Sequence, residues 1–178
     1  TMAPMVELIG TPEHWEHWSS LLHAVRTGAT AADEVRGMPI FDQPSVIAGA
    51  GAPLEAAAVR QRCTLISGSF FESAPEGGDA YLLKAIIHDW DDDQALTILR
   101  NIRSAITPSG KLVILEHVLP EGAPPHPGML LDLEMMVQTG GRERTASEYA
   151  NLLSQGGFRQ TRVVPTAGPM SIVEAVPA

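Results

Sequence analysis

The chain has a single cysteine, Cys63, in 178 residues, which excludes an internal disulfide and a cluster of thiolate metal ligands and fits a reducing, cytoplasmic setting. Positive charge is scarce as well. Twelve Lys and Arg stand against twenty-one Asp and Glu, for a net charge of -9, and the basic residues are scattered without a run. A nucleic-acid groove or a face for an anionic membrane needs clustered cations, so neither partner is expected. No apolar run approaches the ~20 residues of a membrane-spanning helix, no signal peptide is recognisable at the N-terminus, and the sequence shows no internal repeat or low-complexity segment. It opens on Thr1 rather than Met. With 44% hydrophobic residues there is material for one domain core and at most a small appendage, and a small-molecule ligand is the natural expectation.

What is present is most informative in LLKAIIHDWDDDQALTILRNI, residues 82–102. The stretch from Asp79 to Ile87 reads as a short buried strand; Ala95, Leu96, Leu99, Ile102 and Ile106 then recur at helical spacing behind three acids, Asp91 to Asp93. His88 stands at the junction, where an α/β sheet binds its ligands, although the chemistry of histidine alone allows a core or capping role equally well. Asp89 and Asp91 to Asp93 could be read as oxygen ligands for magnesium. Acids at a helix start more often cap it and answer its dipole, so no metal is expected.

Around this centre, Thr11-Pro12-Glu13 opens a helix whose apolar face carries Trp15, Trp18, Leu22 and Val25 and which ends near Gly28. A Gly-, Ala- and Pro-rich stretch follows to Pro53, with a short apolar piece at Pro39-Ile40-Phe41. A helix over Leu54 to Gln61 and a strand over Cys63 to Ser67 come next. The turn Pro108-Ser109-Gly110 leads into Lys111-Leu112-Val113-Ile114-Leu115-Glu116, an apolar run expected inside a parallel sheet with both faces covered. Leu130 to Val137 predicts a helix. Thr145-Ala146-Ser147-Glu148 is a capping box for another, stopped by Gly156-Gly157. Phe158 to Val164 and Ser171 to Val176 read as two closing strands able to form a hairpin.

The order strand, HDW, acid-capped helix, PSGK turn, LEHVLP, LDLEMM, TGGRERT and terminal GGF resembles the C-terminal part of S-adenosylmethionine-dependent small-molecule O-methyltransferases of the caffeic-acid, hydroxyindole and bacterial polyketide type. The resemblance runs from about Phe41 to Ala178. It implies an α/β fold, a partial Rossmann-like methyltransferase domain at 38–178 with a mostly parallel sheet and a C-terminal antiparallel hairpin, preceded over 1–37 by a helical linker remnant of the family's N-terminal region. By the same resemblance His88 is the general base, and Glu116 and Glu143 are the carboxylates that flank and orient it. Asp42 matches the acid that accepts the ribose hydroxyls. Ser69 and Phe70 fall at the adenine, with serine where the family usually has an aspartate. Lys84 and Trp90 lie beside the cofactor, and Met135 and Thr139 line the acceptor pocket. S-adenosyl-L-methionine is the implied cofactor, a small aromatic hydroxyl compound the implied substrate and a homodimer the implied assembly.

The sequence departs from the family in one place. Between Trp18 and Asp42 there are too few residues for the first strand, its glycine-rich loop and the first crossover helix, because a βαβ unit takes about thirty or more. The text at Met38 to Asp42 reads as two family passages joined at Phe41-Asp42, and an internal deletion is the simplest account. Gly49-Ala50-Gly51 is too short and wrongly placed to serve as the missing loop. Two functions are therefore expected to compete: a methyltransferase, or a catalytically idle, truncated descendant that acts as an oligomerisation or binding module.

Overall fold

The computed structural model describes residues 38–122 and 128–178. The helix expected behind Thr11, its tryptophans Trp15 and Trp18, and the 1–37 linker lie outside the described residues. The chain divides after Ser69 into two compact units.

In the first unit, strand β1 (Met38–Asp42) pairs in parallel with β2 (Cys63–Ser67), Met38 opposite Cys63 and Asp42 opposite Ser67. Parallel strands need a crossover between them. It is supplied by two short helices, α1 (Pro44–Gly49) and α2 (Gly51–Ala56), and a 3-10 turn at Arg60–Arg62. This corrects the expected single helix over 54–61: Pro44 at the first turn starts α1 earlier, and Ala58, held at φ 54°, prevents α2 from running on. Leu54, Val59 and Cys63 form a small core with Ile40 and Leu65 packed against it.

The second unit begins with β3 (Ala80–Lys84), α3 (Asp92–Ala105) and β4 (Lys111–Glu116). It continues through a two-residue strand β5 (Val118–Leu119), α4 (Gly128–Gln138), β6 (Arg144–Thr145) and α5 (Ala146–Gln155), and closes on β7 (Phe158–Pro165) and β8 (Ser171–Pro177). The sheet order is β3-β4-β8-β7. β3 and β4 are parallel, while β8 is antiparallel to β4 on one side and to β7 on the other. β4 is buried along Leu112 to Glu116 as its apolar run demands, but it lies in a mixed sheet and not inside a parallel one. The reason is chain economy: the closing hairpin returns β8 directly beside β4 with no second crossover.

The helix ends follow their capping chemistry. Asp91 accepts the Gln94 amide at 2.8 Å at the start of α3, and Thr145 with Glu148 forms both halves of a capping box on α5. Ile98, Leu99 and Ile102 of α3 bury against Leu112 and Ile114 of β4, Leu153 of α5, Phe158 and Val173. Burial of side chains of this size stabilises by about 1.5–3 kcal/mol each, which fixes α3 and α5 against the sheet and holds the ends of β3 and β4 in place for the chemistry beside them.

Candidate active site

β3 ends earlier than the expected strand over 79–87. Ala85 adopts φ 50°, a left-handed conformation unfavourable for a residue with a Cβ, and its amide still donates to the Leu115 carbonyl at 3.1 Å. The chain thereby leaves the sheet and forms a single 3-10 turn, Ile87–Asp89, that carries His88.

Three elements converge on that turn. Glu116, the last residue of β4, is fully buried; its Oε1 accepts the amides of Ile86 at 3.0 Å and Ile87 at 2.6 Å. Its Oε2 accepts the hydroxyl of Tyr149 from α5. From the other side, Glu143 Oε1 lies 2.9 Å from His88 Nδ1. Glu143 is 3% exposed, and among the described residues its Oε2 meets no hydrogen-bond partner. Its own amide donates to Asp132 Oδ1 on α4 at 2.9 Å.

The electrostatics follow from this enclosure. Burial pulls the His88 imidazole down, but the hydrogen bond with Glu143 and the charges of Glu116, Glu143 and Asp89 outweigh it and hold the group above its ordinary value. Burial pushes the Glu116 carboxyl up, against the Tyr149 hydroxyl, the His88 charge and the two backbone amides that favour its ionised form. Burial also raises the Tyr149 phenol, and the neighbouring Glu116 carboxylate drives it higher. The ring nitrogen of His88 not engaged by Glu143, Nε2, is 3.6 Å from Asp89 Oδ1. With Nδ1–H donating to Glu143, Nε2 carries the lone pair and is the nitrogen able to take a proton.

The remaining candidate residues divide between the two units. Asp42 ends β1 at the carboxyl edge of a parallel pair, its Oδ1 accepting the Gln43 amide at 2.7 Å, and Ser69 closes the same unit. In the second unit Phe70 and Trp90 meet with ring centroids 6.0 Å apart, and Phe71 packs edge-on against both, at 4.9 and 4.8 Å. The Phe70 carbonyl accepts Asn101 Nδ2 at 2.8 Å. Lys84 ends β3, half-buried, and burial lowers its ammonium. Met135 lies on α4 and is half-buried; Thr139 just beyond the helix is exposed and donates its hydroxyl to the Met135 carbonyl at 2.9 Å. The magnesium alternative loses two of its acids to other work: Asp91 caps α3 and Asp92 pairs with Arg142 and Arg144.

Sequence reasoning missed Tyr149, Asp132 and Arg144. Tyr149 sits one residue past the capping box and reads as part of an apolar helix face, and nothing in its spacing points to Glu116 thirty-three positions earlier. Gly141 stands out in the sequence only as part of TGGRERT. A Cβ there would come within 2.0 Å of the His88 carbonyl oxygen, so only glycine lets this loop close on the turn.

Comparison with known proteins places the chain in a family. Residues 26–159 match the O-methyltransferase domain family. The phenazine O-methyltransferase PhzM of Lysobacter antibioticus is 49% identical over 81% of this chain and 42% of its own length. The O-demethylpuromycin-O-methyltransferase of Streptomyces alboniger is 42% identical over 89% of the chain and likewise 42% of its own length. Among solved structures, LaPhzM superposes with a TM-score of 0.78 at 38% identity over 94% of this chain and 57% of its own. NcsB1, in complex with S-adenosyl-L-homocysteine and 1,4-dihydroxy-2-naphthoic acid, gives 0.75 at 31% identity over 89% of this chain and 46% of its own. The chain thus spans less than half the length of these two sequence relatives. With its fold shared by these structures and three quarters of its length matched by the family model, the chain belongs to the O-methyltransferase domain family.

Proposed function

We propose that the protein transfers a methyl group from S-adenosyl-L-methionine to a hydroxyl of a small aromatic metabolite, with His88 as general base and Glu143 and Glu116 as the groups that orient it. The observation that carries this reading is the buried His88–Glu143 pair at 2.9 Å. Similarity to a phenazine O-methyltransferase and an O-demethylpuromycin-O-methyltransferase supports it.

Methyl transfer from a sulfonium is an in-line displacement, so the protein must align nucleophile, methyl and sulfur and take one proton from the acceptor. A phenol near pKa 10 and an imidazole near 6.5 differ by ~3.5 units, which makes complete proton transfer ahead of attack uphill by ~5 kcal/mol. Raising the imidazole, as Glu143 and Glu116 do here, narrows that gap. Glu143 also fixes the tautomer, leaving Nε2 to accept the proton while the carboxylate supports the imidazolium that forms. Glu116 sets the turn itself through the Ile86 and Ile87 amides.

Each unit by itself carries groups suited to the cofactor. Asp42 is a carboxylate at the carboxyl end of a parallel strand, the place and chemistry for ribose hydroxyls. Ser69 adds a hydroxyl in the same unit. In the second unit Phe70, with Phe71 and Trp90, offers an aromatic wall for a purine, and Lys84 adds a polar group. When bound, the cofactor supplies an electrophilic methyl on sulfur. Met135 and Thr139 are proposed to line the acceptor side.

A cytoplasmic homodimer is proposed as the working form, with residues 38–178 as a truncated methyltransferase domain and 1–37 as its linker. What supports assembly is the exposure of Met129, Leu130, Leu133, Met136 and Val137 on α4, more contiguous apolar surface than a lone helix leaves in water. Sedimentation gives the mass directly.

The test is labelled methyl transfer to a panel of phenols and hydroxylated heteroaromatics, comparing the parent with His88→Ala. A label incorporated by the parent and lost in the variant supports the reading. Undiminished transfer by a folded His88→Ala variant removes the base.

A further inference from the structure

Arg144 is fully buried, and its guanidinium spends every donor it has. Nη1 donates to the carbonyls of Ile87 at 3.1 Å and Arg142 at 3.3 Å. Nη2 donates to the Trp90 carbonyl at 3.0 Å and to Asp92 Oδ1 at 2.8 Å, and Nε reaches the same oxygen at 3.2 Å. A guanidinium has five N–H groups in a rigid fork, so none is left over for a ligand. The acceptors are what matter. Ile87 and Trp90 bracket His88 and Asp89, the Trp90 amide closing back on the Ile87 carbonyl at 3.3 Å. Arg142 immediately precedes Glu143.

One cation therefore holds the backbone on both sides of the base and the backbone next to the carboxylate that orients it. The anchor is itself fixed, because Arg144 pairs with Val118 through β6 and β5 and α3 presents Asp92 from its first turn. Glu116 grips the same turn from its amide side. At Gly141 a Cβ would fall within 2.0 Å of the His88 carbonyl oxygen, so the loop passes close against the turn.

We propose that Arg144 is the positioning residue that sets the His88–Glu143 geometry, coupling the base's turn to the Glu143 loop through the Ile87, Trp90 and Arg142 carbonyls with Asp92 as its counter-ion. Its importance to a base rests on the reading of His88 given above; the coupling itself does not. Lysine cannot substitute, since an ammonium is a point donor without the planar fork that spans three carbonyls and a carboxylate.

The test reads the imidazole and not turnover. In protein labelled with 15N at histidine, the His88 ring is titrated by NMR in the parent, in Arg144→Lys and in Asp92→Asn, with circular dichroism to establish folding. The expected result for a folded Arg144→Lys is loss of the downfield Nδ1 proton shared with Glu143 and a His88 midpoint that moves down toward that of free histidine. Millimolar guanidinium added to Arg144→Ala should restore part of the signal. Where Arg144→Lys does not fold, Asp92→Asn decides: its Arg144 stays but loses the counter-ion, and a smaller change in the same direction is expected. An unchanged His88 proton and midpoint in whichever of the two variants is folded would overturn the inference. Because His88→Ala turnover is read separately, failure of the base assignment and failure of the coupling give different results. If the chain turns over, Arg144→Lys lowers kcat by about 100-fold, the scale of a reacting group misplaced by an ångström, with the KM for cofactor little changed.

Discussion

His88 and Glu143, fifty-five positions apart in the chain, meet with Nδ1 and Oε1 at 2.9 Å in a site where the carboxylate is almost wholly buried. The pair exists because β3 ends abruptly at Ala85 and because a glycine at 141 lets the following loop lie against the turn.

Glu143→Gln removes the charge while keeping the shape. The raised His88 value falls, so the acid limb of a pH–rate profile, where the imidazole becomes protonated and inactive, moves to lower pH. The maximal rate falls as well, since the tautomer is no longer held; His88→Ala loses the whole base contribution, about 100- to 10,000-fold. Initial rates across pH in the two variants check both statements.

The same elevation makes a stability prediction. A histidine whose folded value lies above its unfolded 6.5 contributes stability that is fully present below the unfolded value and is lost as pH rises through the folded one. Urea unfolding of the parent and of His88→Gln should therefore give stabilities whose difference is constant below the unfolded value and shifts, against the parent, over the window immediately above 6.5.

Tyr149→Phe deletes the hydroxyl that, among the described residues, answers Glu116 Oε2. Leaving a buried carboxylate oxygen unanswered costs about 1–3 kcal/mol. The Glu116 carboxyl should rise further at the same time, so its infrared carboxyl band should appear at higher pH in the variant than in the parent.

Gly141→Ala places a methyl 2.0 Å from the His88 carbonyl oxygen. Backbone must move on one side or the other, so a stability loss of about 1–3 kcal/mol is expected, together with weakening of the His88–Glu143 hydrogen bond. Alanine at Gly140, where no neighbour lies within reach but φ is 81°, should cost stability through backbone strain and leave the histidine signal in place.

Much of this was legible in the residues where the determinants are local. The Asp91 cap, the Thr145–Glu148 box and the apolar run of β4 are contiguous patterns, and the closing strands are separated by proline and glycine. The station of His88 at a strand end was readable on the same basis, whereas its partners were not. Glu116 looks like a strand-end surface residue until α5 and the turn close over it, and Glu143 looks like a loop charge; only the family resemblance pointed to either. Tyr149 and Arg144 gave no local sign, because their partners come from β4, α3 and the His88 turn. The left-handed Ala85 was equally silent, since alanine at positive φ is imposed by packing and not by preference. In the first unit, Pro44 did mark a helix start, but the Gly- and Ala-rich text around it hid the periodicity by which a helix is recognised.

Whether the proposed site takes up its cofactor without the family's glycine-rich loop is decided by calorimetric titration of the folded protein with S-adenosylhomocysteine. Saturable, roughly one-to-one binding that weakens on Asp42→Ala is expected; no heat from a protein folded by circular dichroism would rule out the proposed function.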